Sequence, residues 1–64
     1  MARNVRSDLE PGQRFKQNGV AWEIVELRSL SGIPHVRIVK VGHPTELKLI
    51  SVSALLERYD LALE

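Results

Sequence analysis

Val20-Ala21-Trp22-Glu23-Ile24-Val25-Glu26-Leu27, followed by His35-Val36-Arg37-Ile38-Val39-Lys40-Val41, is the stretch whose reading decides the fold. Both segments are rich in branched and aromatic side chains, which pack well on a pleated surface and favour strands. Between them lies Leu30-Ser31-Gly32-Ile33, where glycine supplies the positive φ that a tight hairpin turn demands. With Ser31 and Gly32 as the two loop residues, Leu30 faces Ile33, Leu27 faces Val36, Glu26 faces Arg37, Val25 faces Ile38 and Glu23 faces Lys40. Two opposite-charge matches and three aliphatic matches favour this register over a one-residue slip.

Working outward, Asn18-Gly19 is a second hairpin signal, because both residues tolerate the left-handed backbone of a type I′ turn. A two-residue loop there sets Gln17 against Val20, Phe15 against Trp22 and Arg14 against Glu23. On the other side, Gly42-His43-Pro44 punctuates a turn into Thr45-Glu46-Leu47-Lys48-Leu49-Ile50. Setting Val41 against Glu46 puts Lys40 opposite Leu47 and Ile38 opposite Leu49. One face of this meander then carries Val25, Leu27, Val36, Ile38, Leu47 and Leu49. The other carries Phe15, Trp22, Ile24, Val39, Val41 and Ile50, with Glu26, Arg37, Glu46 and Lys48 among them. Neither face is cleanly polar, so a curled sheet hides one, and a bulge, a covering element or a partner chain must relieve the other.

A covering element follows. In Ser51-Val52-Ser53-Ala54-Leu55-Leu56-Glu57-Arg58-Tyr59 the alternation gives way to helical spacing, with Val52, Leu55, Leu56 and Tyr59 on one face and Ser51 or Ser53 as the N-cap. At about two turns the helix is too short to persist undocked. Residues 60–64 alternate again, which fits either an edge strand or an extension of the helix. Residues 1–10, ended by Pro11-Gly12, read as a flexible arm, leaving 11–64 as the single small domain.

Sixty-four residues bury only about 60% of their unfolded surface, so the core of a lone domain is marginal. Without cysteine there is neither a disulfide framework nor a thiolate zinc site, and an intracellular, cytoplasmic setting is expected. No apolar run approaches the roughly 20 residues that cross a bilayer, and the charged start has no hydrophobic segment behind it, so neither a membrane span nor a signal peptide is expected. The formal charge is +1. Residues 1–20 carry a net +2 and residues 51–64 a net −2, which suits contact between chains better than the strong field of a dedicated nucleic-acid binder.

Short strands joined by hairpins, a brief helical segment and a closing strand resemble an SH3-like small barrel. The residues behind the resemblance are Phe15, Asn18-Gly19, Trp22 to Val25, Pro34 to Val39 and Ser51 to Leu56. It covers roughly residues 11–60 and is architectural; the chain is also similar to small bacterial proteins of this kind, with no motif that singles out a family. The resemblance implies a mainly β fold: a small antiparallel barrel or strongly curled sheet of four to five strands, with one short helical segment near the C-terminus. Eukaryotic SH3 domains grip proline-rich peptides with an aromatic cluster; with only Phe15, Trp22 and Tyr59 here, that mode is not expected.

The candidate site residues are Arg14, Phe15, Lys16, Trp22, Arg37, Lys40 and Lys48. With Arg37 and Lys48 on the face of Phe15 and Trp22, phosphate neutralisation and base stacking would combine in an RNA- or DNA-binding surface. A plainer reading pairs these bases with Glu23, Glu26 and Glu46 and gives Phe15 and Trp22 to the core. His35 and His43 would need Asp or Glu to complete a metal site, and no close ligand spacing points to one. No constellation of side chains suggests catalysis, and the glycines match no phosphate-binding loop. Neither enzymatic activity, nor a cofactor, nor a small-molecule substrate is expected. The leading expectation is a non-enzymatic protein-interaction module whose partner is either another protein or a second copy of the chain, and the alternative is a small RNA- or DNA-binding protein.

Overall fold

Asn18 and Gly19 turn the chain with φ of 54° and 79°, and Ser31 and Gly32 repeat the geometry at 52° and 79°. These are the paired left-handed conformations of the turn whose twist matches that of the flanking strands. In the computed structural model, which describes residues 9–61, they connect β1 (Arg14–Gln17), β2 (Val20–Leu30) and β3 (Ile33–Lys40). Strand β4 (His43–Ser51), helix α1 (Val52–Arg58) and the short β5 (Asp60–Leu61) follow. All five strands lie in one antiparallel sheet in the order β4-β3-β2-β1-β5, and the sheet does not close into a barrel. The expected mainly β architecture is present in this open form.

The first hairpin has the expected register, with Phe15 against Trp22 and Arg14 against Glu23. In the second, Leu30–Ile33, Leu27–Val36 and Glu26–Arg37 also pair as expected, but Val25 does not face Ile38 and Glu23 does not face Lys40. A bulge at Val25 moves the ladder by one residue, so that Ile24 meets Ile38, Glu23 meets Val39 and Trp22 meets Lys40. The cause is packing: Trp22, Ile24, Val36 and Ile38 are all buried, and only an extra residue in β2 sets both pairs on one face.

The third hairpin departs further from the expected register. Lys40 pairs with His43 across a turn at Val41-Gly42, and β4 then takes up Pro44, Thr45 and Glu46 before Leu47 meets Val39. Lys48 therefore lies opposite Ile38 and Leu49 opposite Arg37, one residue from the expected pairing. A slip of one residue exchanges the faces of a strand. Leu47 and Leu49 thus leave the face of Val36 and Ile38, and Ile50 joins it opposite Val36.

The inner face carries the core of Phe15, Trp22, Ile24, Val36 and Ile38, closed by Val52, Leu55 and Tyr59. The Ser51 side chain accepts a hydrogen bond of 3.1 Å from the Ala54 amide and caps α1. Of the expected arm, residues 1–8 lie outside the described residues, while Leu9 is buried in the core. Asp60 and Leu61 form an edge strand on β1, and residues 62–64 lie outside the described residues.

Candidate interaction surface

Helix α1 packs on the inner face of the sheet, and no described element covers the outer face. On that outer face Val39 pairs with Leu47 and Arg37 with Leu49, while the bulge leaves Val25 exposed on β2, across β3 from the two leucines. Val25, Leu47 and Leu49 remain 46%, 51% and 44% exposed. Charged groups border the patch. Arg14 donates to Glu23 at 3.0 Å, and Glu26 lies 3.3 Å from Arg37 and 3.8 Å from Arg28. These pairs are exposed, so each contributes at most about 1 kcal/mol to stability. Their larger effect is to hold cross-strand charges in register around an apolar centre.

Strand β4 is one edge of the sheet, so the backbone groups on its far side have no ladder partner among the described residues. An edge of this length offers a template on which another strand can add. The opposite edge, β5, has only two residues and offers little.

The candidate site residues do not form one surface. Phe15 and Trp22 are buried to 2% and 6% exposure, so neither ring is free to stack on a base. Arg14, Lys16 and Arg37 lie on the outer face by strand alternation, which corrects the expectation that Arg37 shares a face with the aromatic pair. Lys48 does share it: its ammonium stands 4.5 Å from the centre of the Trp22 ring and donates to the Tyr59 hydroxyl at 3.5 Å. That position shields one side of the indole and ties β4 to the end of α1. Lys40 stands at the rim, 3.9 Å from Glu46.

The sequence reading missed Leu47, Leu49 and Val25 as surface groups. The bulge shows only in the pairing: buried Val36 and Ile38, two residues apart on β3, meet Leu27 and Ile24, three apart on β2. Among the described residues no three His, Cys, Asp or Glu side chains are placed to hold a metal ion, and no helix is long and apolar enough to cross a membrane. His35 Nδ1 donates to the Ile33 carbonyl at 2.9 Å, a local contact within β3. The class defined here is an open five-stranded antiparallel sheet backed by one short helix. Comparison with protein-family models, curated proteins and solved structures gave no match for this chain.

Proposed function

We propose that this chain is a non-catalytic protein-interaction module that associates with its own kind through the outer face and free edge of β4. The observation that carries this reading is the pair of half-exposed leucines Leu47 and Leu49 on edge strand β4, on a sheet face that no described element covers. A domain of 64 residues has little apolar burial to spare, and half-exposed Leu47 and Leu49 on one face of an edge strand suit a partner. The charged rim of Arg14, Glu23, Glu26 and Arg37 suits the polar border of such an interface. The strand order, with α1 between the two edge strands, supports kinship with SH3-like small barrels, here in an open form.

Nucleic-acid binding has less support. The aromatic rings it needs are in the core, and Arg14, Arg37 and Lys40 each already face a carboxylate. Sedimentation equilibrium over a concentration series tests the proposal. The mass is expected to rise from 7.2 kDa towards twice that value, and a Leu47→Glu/Leu49→Glu variant is expected to stay monomeric and folded. A wild-type chain that is strictly monomeric at every concentration removes self-association.

A further inference from the structure

We infer that two copies of this chain join through β4 edges paired antiparallel about Leu47, making one ten-stranded sheet with Glu46 of each copy opposite Lys48 of the other. The inference rests on the self-association proposed above and adds its symmetry and register. A strand that pairs antiparallel with its own copy does so about a two-fold axis perpendicular to the sheet. The axis passes between the two copies of one residue, which face each other, and both outer faces turn to the same side. The choice of axis residue is therefore a choice of register.

The charges of β4 select among the choices. An axis at Glu46 sets two carboxylates face to face, and one at Lys48 sets two ammonium groups face to face. An axis at Leu49 leaves Lys48 opposite Ile50. An axis at Leu47 sets Glu46, which stands 3.9 Å from Lys40 in its own chain, opposite Lys48 twice. It also sets Thr45 against Leu49 and lets His43–Ser51 overlap along its whole length, because Leu47 is the midpoint of the strand. Lys48 would share its ammonium between Trp22 and the partner carboxylate. Lysine at a sheet edge usually discourages pairing. Here it admits the one register that supplies an acid opposite it.

The uneven pairing within the chain points to the same place. Pro44, Thr45 and Glu46 have no partner on β3, so this part of β4 lacks a ladder on both sides. A second copy centred on Leu47 lies along it. Pro44 has no amide hydrogen, so the added ladder is fullest over Thr45–Leu49. The pairing also brings Leu47 beside its own copy on the outer face.

The chain contains no cysteine, which permits a direct register test with the single variants Thr45→Cys, Leu47→Cys and Leu49→Cys under mild oxidation. Directly opposed residues have Cα atoms about 4.5–5.5 Å apart, within the span of a disulfide. Leu47→Cys is expected to cross-link at least about tenfold faster than the other two, whose partners across the axis are each other's positions. A mixture of Thr45→Cys and Leu49→Cys is expected to cross-link faster than either alone. Independently, Glu46→Lys and Lys48→Glu are each expected to weaken self-association, and mixing them is expected to restore it, since every facing pair is then opposite in sign. Circular dichroism on each variant confirms folding, and the cysteine series stands if Lys48→Glu disturbs Trp22. Association without preference for position 47 overturns this register while leaving the interaction module intact. A chain that never associates overturns both.

Discussion

Leu49 and Ile50 are neighbours of similar hydropathy, and replacing each with lysine in turn tests the β3–β4 register. Leu49 lies on the outer face, 44% exposed, and Ile50 packs against the core opposite Val36. Leu49→Lys leaves the ammonium in water and lets the stem cover neighbouring surface, so its expected cost in the monomer is within about 1 kcal/mol. Ile50→Lys removes a side chain whose full burial is worth about 1.5–3 kcal/mol and points a charge at Val36 and Ile38. A domain of this size has only about 3–5 kcal/mol of stability in all, so Ile50→Lys is expected to be largely unfolded near room temperature. Urea titration followed by the fluorescence of Trp22, the single tryptophan, reads both variants. Repeating the titration at two protein concentrations separates folding from association. The register expected from the sequence, with Leu49 opposite Ile38, reverses the two results. A folded Ile50→Lys beside an unfolded Leu49→Lys would refute the structural reasoning.

Other outcomes follow from the same structure. Asn18→Ala, at φ 54°, is expected to cost about 1 kcal/mol in urea titration, because a β-carbon disfavours the left-handed region, and Asn18→Gly is expected to cost only a few tenths. Ser51→Ala removes the acceptor for the Ala54 amide and is expected to lower stability by about 0.5–2 kcal/mol; an unchanged midpoint would show that the cap is idle. Lys48→Met keeps the apolar stem but removes the cation from the Trp22 ring, so the emission of Trp22 should change while the fold persists by circular dichroism. Titration with single- and double-stranded nucleic-acid probes at low salt is expected to show no binding; affinity that falls as salt rises would favour the nucleic-acid reading instead.

Local chemistry made much of the fold legible. Asn18-Gly19 and Ser31-Gly32 each contain a residue suited to a left-handed turn, and the strands they join pair from the turn outward as expected. Ser51 and the spacing of Val52, Leu55 and Tyr59 located α1. The errors arose away from the turns, where each ladder accumulates any extra residue. The bulge at Val25 and the uneven pairing at Pro44–Glu46 are set by which side chains the core can hold, a tertiary condition that pairwise matching of charges does not contain. The candidate surface suffered most. Charge matching identified the Arg14–Glu23 and Glu26–Arg37 pairs, but the bulge at Val25 put Arg37 on the face away from Trp22, and the separate shift in the β3–β4 ladder moved Leu47 and Leu49 to the outer face.

Amide hydrogen exchange resolved along β4 at rising protein concentration tests the proposed interaction edge most directly. The β4 amides that do not bond to β3 are predicted to exchange freely in dilute solution and to become protected in step with the rise in mass, most strongly over Thr45–Leu49. Mass that doubles while those amides stay unprotected would place the contact elsewhere and contradict the account.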